Sequence, residues 1–347
     1  MFHRLLAGAA LGALLTACTT TPQEGAISTA AATIPQATGV FARPSSLPFQ
    51  TVDFASIQDS DYVPAFEQGM AIHRAEIAAI VANPEEPNFD NTIVALERSG
   101  RMLGRVLTAF STVTGAHTND TLDAIDAEMS PKLTAHFDAI SLDPALFARV
   151  KAVYDNRAAM SLTPEDAWLL EDTYENMVHA GALLTDAQKE EVKAINSRLS
   201  EVTTQFSQKL VEATNANALV VADAAALAGL SEAEIAAAAK AAADRGLSGQ
   251  YLIPLQNTTQ QPALATLTDR ATRQALFEKS VHRADQGGPN DTRALLAEIV
   301  QLRARKAALF GEPDWASYTM YDRMAQDPKT ALDFMRQMVP ALAATQR

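Results

Sequence analysis

The chain has 347 residues, of which 41 are acidic and 28 basic, giving a formal net charge of −13 at pH 7. This acidic balance argues against binding to nucleic acid, because phosphates require clustered lysine and arginine. The chain has a single cysteine, Cys18, which excludes an internal disulfide framework, so stability must come from a buried core.

The first residues have the pattern of a secretory signal. Met1–Arg4 is cationic, and Leu5–Ala17 is an apolar run too short to remain as a membrane-spanning helix. The run ends in Leu-Thr-Ala directly before Cys18, which resembles the lipobox of bacterial lipoproteins. We therefore predict a signal peptide over 1–17, lipidation of Cys18, and a place in the bacterial cell envelope facing the periplasm. An ordinary signal peptide with an incidental cysteine is the alternative.

The segment that follows Cys18 has no periodic apolar pattern. Residues 18–48 are rich in threonine, alanine, proline, glutamine and serine. Such a composition cannot bury enough apolar surface to offset the entropy of ordering. We predict a lipid-anchored disordered tether over 18–48 and a folded body from residue 49 onward.

From about residue 49 onward, the sequence pattern predicts an almost unbroken series of helices. In 62–81 the apolar residues fall mostly at spacings of three and four, which is one face of a helix, and Asn83-Pro84 ends it. The same kind of periodicity, with helix caps, predicts further helices at 88–110, 119–140, 143–157, 163–181, 185–218, 230–246, 261–284, 289–310, 313–324 and 328–345.

The best strand candidate is the short β-branched and aromatic stretch 249–255, with 219–221 as a plausible partner. The predicted fold is therefore all-α with one small β-hairpin. At the end of the chain, the last predicted helix carries an apolar stripe. The stripe either packs back onto the body or is covered by another part of a larger helical domain. The stripe consists of Leu332, Met335, Val339 and Leu342.

The histidines give the first test for metal chemistry. A zinc-peptidase helix presents two histidines one turn apart, in the pattern His-Glu-x-x-His, and the glutamate between them acts as general base. None of the chain's 6 histidines begins this pattern. They are His3, His73, His117, His136, His179 and His282. The Gly-x-Ser-x-Gly elbow of serine hydrolases is also absent from the sequence.

Two weaker metal-ligand patterns remain. Glu171, Glu175 and His179 share one helix face at successive turns and could supply ligands, although a solvated acidic stripe is the favoured reading. His73 with Glu67 and Glu76 is a weaker candidate. A further group could line a groove, but core packing is favoured for it: Trp315, Tyr318, Met320, Tyr321 and Met324.

Short stretches along the body, taken in their order and spacing, resemble the thimet-type M3 metallopeptidases. The residues of these stretches are most similar to those of the dipeptidyl carboxypeptidase branch, with oligopeptidase A as a near neighbour. The resemblance covers about 48–345. The stretches are Tyr62–Phe66, Pro87–Thr92, Ala95–Gly100, Pro131–Leu133, Ala180–Ala182, Asn196–Ser200, Gln261–Leu264, Leu302–Ala307, Phe310–Gly311 and Arg323–Ala325.

The resemblance implies a mostly helical, monomeric enzyme whose two lobes enclose a deep channel and which hydrolyses short peptides with one zinc ion. In the dipeptidyl carboxypeptidase branch the products are carboxy-terminal dipeptides. Residues 49–347 would be the amino-terminal portion, truncated before the zinc motif. The zinc ligands and the general base would then lie in the missing carboxy-terminal half, so no catalytic or metal-binding residue is assigned in this chain.

Two functions remain open at this point. The chain is the amino-terminal part of an envelope zinc peptidase, inactive when alone, or it is a complete, non-catalytic helical lipoprotein that binds peptides or acts as a scaffold. We favour the first, because the final helix leaves its apolar stripe without a covering element.

Overall fold

A computed structural model describes residues 33–346. The predicted signal peptide over 1–17 and the predicted lipidation site, Cys18, lie outside the described residues. None of the helices formed by residues 33–346 combines the length and the hydropathy needed to cross a membrane.

The described chain is a succession of helices with one two-stranded antiparallel sheet. The helices are α1 (Tyr62–Val81), α2 (Ala95–Glu97), α3 (Arg101–Ala116), α4 (Asp120–Ser141), α5 (Pro144–Asp155), α6 (Pro164–Ala180), α7 (Asp186–Ala216), α8 (Glu232–Asp244), α9 (Gln260–Thr266), α10 (Arg270–Val281), α11 (Arg293–Leu309), α12 (Trp315–Thr319) and α13 (Pro328–Thr345). The strands are β1 (Leu219–Val221) and β2 (Tyr251–Ile253). The all-α fold with one small hairpin is thus confirmed, whereas the two-lobed arrangement stays a prediction.

The first hydrophobic core lies where α1 packs against α3 and α4. Its aromatic residues meet edge to face, with the Tyr62 and Phe110 rings 5.0 Å apart and the Phe66 and Phe110 rings 5.3 Å apart. Gly69 lets α1 and α3 approach closely, because a Cβ at Gly69 would lie 3.0 Å from the Cα of Leu103. This core fixes the positions of α1, α3 and α4 relative to one another.

Part of the segment before residue 49 contacts this core. Phe41 is buried against Tyr62, and Arg105 of α3 donates from Nε to the Phe41 carbonyl and from Nη2 to the Ala42 carbonyl, both at 2.9 Å. The Thr38 N–H also donates to Gln68 Oε1 at 2.9 Å. These contacts involve residues that precede position 49, where the sequence predicts the start of the folded body.

A second core joins α5 and α6 to a π-helical turn, Phe89–Val94, that precedes α2. Arg149 of α5 is buried and donates to the carbonyls of Asn83 and Glu85 at 2.9 and 3.3 Å. No described carboxylate pairs with Arg149. Its guanidinium therefore ties the loop that follows α1 to α5 through two backbone carbonyls.

The predicted helix over 88–110 is divided in the structure. Gly100 adopts a φ of +66°, a left-handed conformation that ends α2 and starts α3. The predicted helix over 261–284 is also divided, because Leu267 leaves the helical conformation, with φ −54° and ψ 125°, and is buried at 2% exposure. The Asp269 side chain then accepts from the Thr272 N–H and begins α10. The predicted helix over 313–324 shortens to α12.

The hairpin belongs to a compact unit in the carboxyl half of the chain. Leu219 pairs with Ile253 and Val221 with Tyr251, which confirms the predicted strand pairing. The unit's core includes Leu227, which is fully buried between the strands and the helices around them. The long helix α7 packs along α4 and α11 and links this unit to the two amino-terminal cores.

Candidate functional site

An aromatic cluster surrounds His179 in the last turn of α6. The imidazole ring lies between two tyrosine rings, with centroid distances of 4.1 Å to Tyr318 and 3.9 Å to Tyr321. Phe310 completes the cluster 4.9 Å from Tyr318. The Tyr318 hydroxyl donates to the backbone carbonyl of His179 at 3.1 Å. The cluster therefore fastens the end of α6 to α12, across 139 residues of sequence.

Burial within this cluster determines the protonation of His179 and Tyr318. Burial lowers the pKa of His179, and the nearby Lys306 lowers it further. Burial likewise raises the pKa of the Tyr318 hydroxyl. Both groups are therefore neutral near pH 7, and their attraction is that of stacked aromatic faces.

The candidate stripe Glu171, Glu175 and His179 does not form a ligand set. Both glutamates are exposed, while the His179 ring is held in the stack. Within residues 33–346, no three histidine, cysteine, aspartate or glutamate side chains lie close enough together to hold a metal ion.

The proposed groove residues divide between core and surface. Tyr318 is buried at 6% exposure, in agreement with the core reading. Tyr321 and Met324 are instead exposed, Met324 completely. The reason is that α12 ends at Thr319, so the residues beyond it leave the helix that would have carried them into the core.

A polar chain beneath the aromatic cluster crosses three helices. Lys306 of α11 donates to Asn196 Oδ1 of α7 at 2.7 Å, and Asn196 Nδ2 donates to both carboxylate oxygens of Asp138 in α4 at 2.8 and 3.0 Å. Burial lowers the pKa of the Lys306 amine, opposed by the charge of Asp138. Burial also raises the pKa of the Asp138 carboxyl. This chain fixes α7 between its two neighbours, and the sequence patterns gave no signal for it.

A second polar chain links α1 and α4 through two buried histidines. His73 Nδ1 lies 3.0 Å from His136 Nε2, and His73 Nε2 lies 3.2 Å from Ser99 Oγ. Because Ser99 Oγ donates to the Leu96 carbonyl at 2.6 Å, it accepts from His73 Nε2–H, and His73 Nδ1 then accepts from His136 Nε2–H. Both rings are thus neutral.

This arrangement replaces the weak metal pattern that the sequence offered for His73. Glu76 does not face the imidazole as a ligand but accepts from the Gly100 N–H at 2.7 Å. Burial is the main cause that lowers the pKa of His73, and the charge of Glu76 only partly opposes it. His136 Nδ1 is buried with no hydrogen-bond partner among the described residues.

The last helix, α13, carries an exposed apolar face and has no buried residue along its described length. It therefore does not pack back onto the body. The apolar residues that it exposes, between 42% and 63%, are Leu332, Phe334, Met335, Met338, Val339 and Leu342. An exposed apolar face of this kind is a candidate for contact with another element or molecule.

Comparison with known proteins shows which family and which enzymes the chain is similar to. Residues 263–347 match the model of peptidase family M3. The chain is 47% identical to dipeptidyl carboxypeptidase of Escherichia coli, over 83% of this chain and 42% of the relative. It is 45% identical to dipeptidyl carboxypeptidase of Salmonella typhimurium, over 84% of this chain and 43% of the relative. To oligopeptidase A of Salmonella typhimurium it is 25% identical, over 83% of this chain and 43% of the relative. The chain thus spans about two fifths of the length of these relatives, and the resemblance found in its sequence is confirmed.

Proposed function

We propose that this chain is the amino-terminal part of a zinc-dependent metallopeptidase of family M3 that hydrolyses short peptides. The observation that carries the proposal is the 47% identity to a dipeptidyl carboxypeptidase over 83% of the chain. The same relative suggests that the products are carboxy-terminal dipeptides. In this proposal the described helices form one wall of the peptide channel.

The described residues do not themselves fit a zinc site. No three candidate ligands lie together between residues 33 and 346, and His-Glu-x-x-His does not occur in the sequence. We therefore place the zinc ligands and the general base on a segment outside this sequence. The contribution of the present residues is to position and confine the peptide, and the exposed Tyr321 and the apolar face of α13 are available for contacts with the remainder of the enzyme.

The purified 347-residue product should hold no stoichiometric zinc and should not release a dipeptide from an amino-blocked tetrapeptide. The reason is that residues 33–346 hold no group of three candidate metal ligands, and the sequence has no His-Glu-x-x-His to supply a base that activates water. Zinc content is measured by elemental mass spectrometry, and dipeptide release by chromatography, with the Escherichia coli dipeptidyl carboxypeptidase as the active control. Chelator-sensitive cleavage that copurifies with the chain contradicts the prediction.

Sequencing the source gene beyond the codon for Arg347 tests the family proposal itself. We expect the reading frame to continue and to encode His-Glu-x-x-His with a further glutamate downstream. A stop codon directly after Arg347 would overturn the enzyme proposal. The non-catalytic peptide-binding or scaffold function would then be the one to examine, by titration of the chain with a labelled tetrapeptide.

We also propose that Cys18 is acylated and anchors the protein in the bacterial envelope, facing the periplasm. Bacteria that express the chain and are fed an alkyne-tagged palmitate should label it, and the Cys18→Ser variant should lose the label, since Cys18 is the sole thiol. A Thr19→Ser variant, which leaves the thiol in place, is the matched control. Equal labelling of the Cys18→Ser variant would contradict the anchor.

A further inference from the structure

A cavity of about 780 Å³ opens between α3 and the segment from Gly39 to Ile57 that crosses it. This volume lies in the range of small-molecule sites. Phe41, Val52 and Ile57 supply apolar wall, and several hydroxyl groups line the same space. None of the residues discussed for the peptidase proposal lies in this cavity.

Three arginines line the cavity, in a chain whose net charge is −13. Arg101 and Arg105 lie one turn apart on α3, and burial, with the charge of Arg101 in addition, lowers the pKa of Arg105. Arg43 reaches the cavity from the crossing segment, which Arg105 holds in place through the carbonyls of Phe41 and Ala42. The cavity therefore collects positive charge on an otherwise acidic protein.

Two of these guanidinium groups are unengaged. Arg43 and Arg101 are exposed, and neither forms an ion pair or a hydrogen bond with another group of residues 33–346. Asp53 is the only carboxylate among the residues that line the cavity, and no ion pair within the described chain involves it. The lining thus keeps an excess of two positive charges that faces solvent.

The crossing segment is strained beside the cavity. Phe49 and Gln50 both adopt a φ of +56°, which non-glycine residues rarely do, and the Phe49 side chain is fully exposed. Such conformations concentrate at ligand sites, where the surrounding structure maintains them. Ser46 and Thr108 add exposed hydroxyl groups to the same lining.

We propose that this cavity binds a phosphate-bearing small molecule. Guanidinium groups match the geometry and charge of phosphate oxygens through paired hydrogen bonds, and hydroxyl groups complete such sites. Three arginines offer more donors and charge than a single carboxylate ligand would use, and a phosphate group matches them better. The cavity also has room for an organic part beyond the phosphate, against Val52 and Ile57. The phosphate belongs to a soluble ester or to a phospholipid headgroup, and these sources are distinguished by experiment.

The soluble arm is a calorimetric titration of the full chain, carrying Cys18→Ser to prevent acylation, with sn-glycerol 3-phosphate. We expect saturable binding that the double variant Arg43→Gln/Arg101→Gln weakens by about tenfold or more, because two charge-assisted contacts are lost. Arg98→Gln is the matched control, since Arg98 is exposed one turn before α3 and does not line the cavity. Asp53→Asn should tighten binding, because it removes a repelling charge.

The lipid arm measures sedimentation of the same proteins with phosphatidylglycerol vesicles and with phosphatidylcholine vesicles. Binding to the phosphatidylglycerol vesicles that the double variant loses and Arg98→Gln keeps assigns the phosphate to a lipid headgroup. Arginine-dependent binding of the soluble ester alone assigns it to a free metabolite. Absence of binding in both arms, or binding that Arg43→Gln/Arg101→Gln leaves unchanged, overturns the proposal. Circular dichroism and thermal unfolding confirm that the variants are folded.

Discussion

Gly229→Ala should lower the free energy of unfolding by at least about 3 kcal/mol. A Cβ at this position would lie 2.1 Å from the Thr266 carbonyl oxygen and 2.8 Å from the Thr268 nitrogen. Both are backbone atoms and cannot rotate away. The Thr268 nitrogen also forms a contact that holds the fold together, since its N–H donates to the Ala228 carbonyl at 2.8 Å. The substitution therefore separates α9 from the loop that carries the buried Leu227.

Gly246→Ala separates the steric clash from the backbone effect. Gly246 also has a positive φ, +75°, but a Cβ there would meet no atom within 4 Å. This variant should lose only about 1 kcal/mol, the cost of a left-handed conformation for alanine. Urea unfolding followed by circular dichroism measures both variants. Equal losses in the two variants would contradict the close approach at Gly229.

Acidification from pH 6.5 to pH 4 should remove about 3 kcal/mol of the free energy of unfolding through His136. Burial is the main cause that lowers the pKa of His136 from 6.5 to about 4 in the folded chain, and the charge of Arg74 and protonation of the neighbouring His73 both oppose its uptake of a proton. The unfolded chain takes up this proton near pH 6.5, so between the two values it binds more protons than the folded chain. Stability therefore falls as the pH falls, and below pH 4 this contribution is fully lost.

His136→Phe tests this assignment, because phenylalanine keeps the aromatic contact with Phe137 but cannot titrate. The variant should be less stable than the parent at pH 7, since His73 Nδ1 loses its donor, and its stability should change less between pH 6.5 and pH 4. Guanidinium chloride unfolding at several pH values provides the comparison. His117→Gln, which replaces an exposed histidine, is the control for removal of one histidine. A His136→Phe curve parallel to the parent's would contradict the prediction.

Local patterns were sufficient to predict most helices. The spacing of apolar residues predicts 62–81, which is the extent of α1, and the Asp-Pro start predicts α13 from residue 328. The strand pair was recognisable because β-branched residues at 219–221 lie beside caps and turns. These features depend on neighbours in sequence, and so the sequence contains enough information to find them.

Features that depend on distant residues were not predicted. The division between α9 and α10 arises because Leu267 is buried by the hairpin unit, which no local window contains. His73 meets His136 across 63 residues, and nothing in the surroundings of either histidine indicates the other. The sequence offers His179 as a candidate metal ligand because its own helix carries acidic residues. Its actual partners, Tyr318 and Tyr321, come from a segment far along the chain.

The same distribution of contacts bears on the order in which parts of the chain fold. The hairpin unit closes over short stretches of sequence, such as the step from Ala228 to Thr268, and short loops form quickly. The stack on His179 requires Tyr318 and Tyr321, which lie 139 residues or more further along the chain, and so it closes late. Until then the end of α6 exposes an imidazole and apolar neighbours, so the partly folded chain is open to chaperones there.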